Sequence, residues 1–272
     1  MTEKSRSRGR RAARLCLALF FALPLVSLLQ PARAALPDEI QVYIDDLNDP
    51  GRWSLQEHIN TTFAGDSDPD YPGESLANHG VRLTSEFAYG LTRDLEAGAY
   101  LPVVIESSGD VRLAGFKLRL KWVPVKPAED GAGIFAGLNG ELSQVQYRYD
   151  DNRRGFELRP ILGWRDPTWL FAVNPVLEFA LQGPDAHRSP DFAPSFKVAR
   201  TVAPGIAAGV EYYADLGPLS NFEPASEQQH TLYVAIDIDR KPWNINFGVG
   251  RGLTSSTDRW TVKMIIDIPL GS

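Results

Sequence analysis

From about residue 52 onward the chain is written in alternating apolar and polar residues, and six tryptophans stand at the ends of the alternating runs. Phe116, Leu118, Leu120 and Trp122 share one parity, and Lys117, Arg119 and Lys121 take the other. Trp260, Val262, Met264, Ile266 and Ile268 likewise oppose Thr261, Lys263 and Asp267. A period of two is the signature of a β-strand with two different faces. Trp53, Trp122, Trp164, Trp169, Trp243 and Trp260 all fall on the apolar parity. Rings at strand ends on an apolar outer face are expected where a transmembrane barrel crosses the lipid–water interface.

Reading that period along the chain predicts twelve strands, at 52–63, 80–90, 95–106, 110–123, 132–147, 155–165, 168–182, 192–201, 205–214, 229–239, 242–251 and 258–268. The links alternate in length. Those at 91–94, 124–131, 166–167, 202–204 and 240–241 are short, and those at 64–79, 148–154, 183–191, 215–228 and 252–257 are longer and polar; 107–109 is short where a long one is expected. The expected fold is therefore all-β, a single antiparallel transmembrane β-barrel of about twelve strands. Short turns are expected in the periplasm and long loops outside. Two residues misfit: Glu57 and Arg112 point outward by parity.

Residues 1–34 read as a secretory signal peptide. A basic stretch containing Arg10 and Arg11 precedes apolar Leu15–Leu29, and Ala32-Arg33-Ala34 offers a cleavage site. Removing its seven basic residues and one acid from the chain's 28 and 34 leaves 21 and 33, a net charge of −12. That argues against nucleic acid as a partner. The single cysteine, Cys16, lies in the signal, so neither a disulfide nor a thiolate site is expected in the exported chain. Residues 35–51 are expected as a periplasmic lead-in broken by Pro37 and Pro50-Gly51, although Ile40–Ile44 could pair as a strand or tuck into the lumen. Residues 52–272 form the barrel. Its expected partners are outer-membrane lipid, the barrel-assembly machinery and small solutes.

The inward parity carries Arg82, Glu86, Glu96, Tyr100, Lys117, Arg119, Lys121, Glu141, Glu157, Arg159, Glu178, Glu211, Asp237, Lys263 and Asp267 as candidate lumen residues. One reading is a polar channel whose charges select a solute. The other is a ladder of ion pairs closing a narrow barrel, since a buried charge without a partner is expensive. Lys117, Arg119 and Lys121 form a basic row that could line a passage or be neutralised by neighbouring glutamates. Tyr100, Pro102 and Val104 are the one apolar inward row.

Enzymatic chemistry is not expected. No G-x-S-x-G motif occurs, and Ser85 faces outward without a histidine placed to activate it. Histidines 58, 79, 187 and 230 lack metal-ligand spacing, so no metal or cofactor is implied. The acidic segment 66–74 lacks the spacing of a calcium loop and reads as a solvated outer loop.

Three stretches carry a family resemblance: Glu39-Ile40-Gln41-Val42-Tyr43 with Leu55-x-x-His58-Ile59-Asn60; Glu86-Phe87-Ala88-Tyr89-Gly90-Leu91-Thr92 with Glu96-x-Gly98-x-Tyr100-Leu101-Pro102; and Lys263-Met264-Ile265-Ile266-Asp267-Ile268-Pro269. The chain resembles the Gram-negative outer-membrane barrels described as transporter-like or "MetA-pathway of phenol degradation". The resemblance implies passage of small, including aromatic, molecules. A structural or surface-interaction barrel is the alternative.

Overall fold

The computed structural model describes residues 39–128 and 131–270; the signal-peptide reading lies outside them. The chain forms β1 (Trp53–Ala64), β2 (Val81–Gly90), β3 (Leu95–Ile105), β4 (Val111–Leu113), β5 (Gly115–Val125), β6 (Gly133–Val145) and β7 (Arg154–Arg165). It continues through β8 (Trp169–Gln182), β9 (Asp191–Ala203), β10 (Ile206–Asp215), β11 (Gln229–Arg240), β12 (Trp243–Gly252) and β13 (Trp260–Leu270). Successive strands pair antiparallel, except that β4 and β5 both pair with β3, and β1 pairs with both β2 and β13 to close the wall. Closure leaves no free edge. Because β4 and β5 both lie against β3, they are two pieces of one stave, and the barrel has twelve staves. The predicted strand ends agree with the observed ones to within two residues.

The interruption in that stave explains Arg112. Tyr100↔Lys117 and Val103↔Leu113 are both in register, so β4–β5 carries one extra residue there, at Ala114. Pro102 sits opposite, and its carbonyl accepts from the Ala114 amide. In a strand the amide and carbonyl of one residue point to the same side, so the hydrogen that proline lacks is missing from this ladder. The bulge reverses parity. Arg112 therefore faces inward beside Glu106 (Nε–Oε1 3.4 Å), correcting the outward expectation, while Val111 and Leu113 face out.

Glu57 does face outward, and its cross-strand partner Ser85 donates a hydroxyl hydrogen bond to it at 2.8 Å. The rest of that surface is apolar. Val234 and Ile134 are 70% and 64% exposed, and Leu118, Leu120, Leu142 and Phe171 are exposed beside them. All six tryptophans stand on this outer face. Trp53, Trp122, Trp164, Trp169 and Trp243 fall at the short-turn end and Trp260 at the other. Arg200 and Arg251 lie over Trp169 and Trp260, at 5.4 and 5.1 Å from the ring centres. An apolar belt this continuous is covered by lipid rather than water.

A second irregularity crosses three neighbouring staves. The β7–β8 register skips from Leu158↔Leu177 to Leu162↔Val173 across Pro160 and Pro175, and Pro175 in turn faces Pro194 of β9. Prolines remove ladder donors, so the β7–β8 ladder is interrupted beside Arg159 and Asn174.

Residues Glu39–Asp45 run inside the barrel, and Asp46–Asp49 lie at its short-turn mouth. Over Ile40–Ile44 this differs from the expected periplasmic lead-in and agrees with its lumenal alternative. Ile40, Val42 and Tyr43 are buried, and Val42 and Tyr43 pack with Val123, Phe135, Ile161 and Ala172. Burying such side chains contributes about 2 kcal/mol each. The segment leaves the lumen at the short-turn end, where the Gly51 amide donates to the Gly90 carbonyl at 2.8 Å. Gly90 is required there: a Cβ would collide with the carbonyls of Asn48 and Asp49.

Candidate functional site: the plugged lumen

Many of the inward charges are paired. Arg119 donates to Glu86 and, at 2.7 Å, to Glu96, and His58 Nε2 lies 3.4 Å from Glu86 on its other side. Lys263 bonds Glu211, and Lys197 bridges Glu211 (3.1 Å) and Asp237 (2.8 Å). Arg159 is bidentate on Glu157, at 2.7 and 2.9 Å. Lys117 meets Glu141 at 3.3 Å and Lys121 meets Asp46 at 2.7 Å. The basic row Lys117–Arg119–Lys121 is thus neutralised, the last member by the lumenal segment itself. Gly98 makes room for this packing, since a Cβ there would lie 2.8 Å from Arg119. Asp267 lies on the same parity of β13 as Lys263, nearer the short-turn end, half-buried.

The lumenal segment makes no ladder pairs, so its backbone must be satisfied by side chains. Lys263 Nζ donates to the Ile40 carbonyl and Arg159 Nη1 to the Gln41 carbonyl, each at 2.9 Å. Asn174, fully buried on β8, accepts from the Tyr43 amide at 2.6 Å and donates back to the Tyr43 carbonyl at 3.0 Å. Lys121 Nζ donates to the Asp46 carbonyl, and Glu96 accepts from the Asn48 amide. The Arg165–Asp45 pair, at 2.8 Å, ties the segment to the end of β7.

Tyr43 is the centre of this arrangement. Its ring lies 4.4 Å from the Arg159 guanidinium and 4.9 Å from the Lys121 ammonium, with Arg119 at 5.9 Å. Cations over an aromatic face are attracted by its quadrupole. Its hydroxyl lies 2.8 Å from that of Tyr100. Tyr100, Pro102 and Val104 are buried on one parity of β3, and Tyr100 is a partner of the segment.

Above the segment, toward the long loops, a cavity of about 400 Å³ opens, floored by Glu39, Ile40 and Gln41. Twelve carboxylates and three basic side chains line it. Four of the carboxylates form a cross-strand row on adjacent staves, Glu141↔Glu157↔Glu178↔Asp191. Arg82 reaches this cavity from β2, with its guanidinium 5.7 Å from the Tyr149 ring centre. At the mouth, Glu106 holds the loop after β6 through Arg148 (2.6 and 2.8 Å) and the Tyr149 hydroxyl (3.0 Å). These bonds hold the Glu106 carboxyl below the usual range. In the same loop, burial pushes the Asp150 carboxyl up to about 7, assisted by the charge of Asp151.

The sequence reading named the charged wall residues described above. It missed Asn174, whose signal was its place between Ala172 and Val176 on the inward parity, and it missed the contacts of Tyr43, Asp45 and Asp46.

No protein-family model matches the chain, and no curated protein does. Solved structures are similar in fold. The COG4313 outer membrane channel from Pseudomonas putida F1 shares 12% identity at a TM-score of 0.57, over 85% of this chain and 100% of that one. The KdgM porin shares 9% at 0.51, over 80% and 99%. KdgM in complex with disordered oligogalacturonate shares 10% at 0.52, over 80% and 99%. At these identities the likeness is one of architecture: the chain has the closed twelve-stave fold of outer-membrane channels.

Proposed function

We propose that this protein is an outer-membrane channel for small solutes, closed from the short-turn end by its own Glu39–Asp49 segment and favouring positively charged solutes. The carrying observation is the acid-lined cavity that ends on the chain's own Glu39, Ile40 and Gln41. That floor belongs to no strand; it is held by side-chain contacts alone. A cleft lined by one sign of charge within low-dielectric walls concentrates counter-ions. The hydrophobic-cargo version has less support, because Tyr100, its central residue, is covered by Tyr43.

The test is conductance in planar bilayers under a salt gradient. Discrete steps with a reversal potential on the cation side are expected. Glu178→Gln combined with Asp191→Asn should move that potential toward zero. A barrel that stays silent, even when the segment is loosened by substitution, would favour the structural alternative. The dense ion pairing of the lumen is the observation on that side.

A further inference from the structure

We infer that the place occupied by residues 40–43 is a binding site for short extended peptides carrying tyrosine at the position of Tyr43, and that the chain's own segment fills it in place of such a ligand. The inference rests on the channel reading and names a class of cargo for it.

The argument begins with what the lumen recognises. Asn174 reads both backbone groups of one residue, the Tyr43 amide and carbonyl, as a neighbouring strand would. Arg159 and Lys263 each take one further carbonyl, those of Gln41 and Ile40. These contacts suit any extended peptide, because they touch no side chain. Two positions add selectivity. Val42 enters an apolar pocket of Val123, Phe135, Ile161 and Ala172. The next residue must carry a ring able to lie against Arg159 and Lys121 and a hydroxyl able to reach Tyr100.

Backbone pairing is needed by any buried segment, whereas the cations against the Tyr43 ring and the Tyr100 hydroxyl at its hydroxyl recognise a side chain, which closure alone does not require. The gap in the β7–β8 ladder at Pro160 and Pro175 lies beside both Arg159 and Asn174, so the wall is interrupted where the peptide is read. Polarity agrees as well. The segment's earlier residues point toward the acid-lined cavity, so a free peptide bound the same way would place its α-ammonium among carboxylates such as Glu157 and Glu178.

The test is calorimetric titration of the full-length protein in detergent with the tetrapeptide amide Ile-Gln-Val-Tyr. Tyr43→Ala removes the resident ring, and this variant should bind the peptide at least tenfold more tightly than wild type. Adding Asn174→Ala should weaken binding at least tenfold, and acetylating the peptide's amine should weaken it several-fold. If Asn174→Ala fails to fold, Asn174→Asp serves, since it keeps the acceptor and loses the donor. Absence of binding to Tyr43→Ala, or binding that neither Asn174 substitution changes, overturns the inference. Bilayer recordings separate the two readings. Peptide binding without conductance would sink the channel and support the site; conductance without peptide binding would do the opposite.

Discussion

The hydroxyl of Tyr43 meets the hydroxyl of Tyr100 at 2.8 Å, joining the lumenal segment to the third strand in the middle of the barrel. Loosening this contact is expected to open the passage by degrees. Tyr100→Phe removes a hydrogen bond worth about 1 kcal/mol and should raise conductance slightly. Tyr43→Ala removes the bond and the ring together and should raise it several-fold. Single-channel recording checks both, and equal conductance in all three proteins would mean that the segment does not gate.

Arg119 is costly to remove from the wall. It neutralises Glu86 and Glu96 at once, and both carboxylates are buried. Breaking a buried pair by deleting one partner costs about 3–5 kcal/mol, and here two carboxylates lose theirs. Arg119→Ala is expected to unfold at markedly lower urea concentration, with loss of the heat-modifiable gel shift of folded barrels. Glu86→Gln in the same background should recover part of the loss.

The loop after β6 is expected to respond to pH through Asp150. Its carboxyl is raised from 3.8 to about 7, chiefly by burial and then by Asp151 and Asp185, against the pull of the Asn152 amide and Lys117. Between those values the folded loop keeps a proton that an open loop would release. The loop is therefore most stable below about pH 4 and loses that stabilisation as pH rises to 7. After correction for intrinsic rates, amides in 146–153 should exchange several-fold faster at pH 8 than at pH 5. Asp150→Asn should abolish the difference.

Orientation follows from loop length. Ser67 and Ser226 lie in long loops and Ala128 in a short connection at the opposite end. Cysteines placed at the first two positions should react with an impermeant maleimide on intact cells, and one at Ala128 only after the outer membrane is breached. The opposite pattern would invert the assigned topology.

The barrel was legible because alternation is a local property. In β5 and β13 a one-residue slip would put Lys117 or Lys263 into lipid, so parity alone oriented the wall. The lumenal segment was legible only as one of two alternatives, for the opposite reason. Ile40, Val42 and Ile44 alternate as they would in a strand, and their partners are single side chains from well-separated staves. The inversion at Arg112 had a sequence signal in Pro102, whose missing donor falls on the neighbouring stave. Glu57 became intelligible once the β1–β2 register brought Ser85 opposite it. Asn174 escaped because the inward residues were weighed by charge, and its work is done by an amide.

The turn at Pro50-Gly51, packed on Gly90, carries the lumenal segment directly into β1 and makes this occupant a tethered one. A short tether holds its cargo at an effective concentration of about a millimolar or more. Any free molecule competing for the same place faces that standing concentration, whatever its intrinsic fit. The barrel would then act as a threshold device, closed to scarce solutes and yielding to abundant ones, with the threshold set by how firmly eleven residues grip the wall.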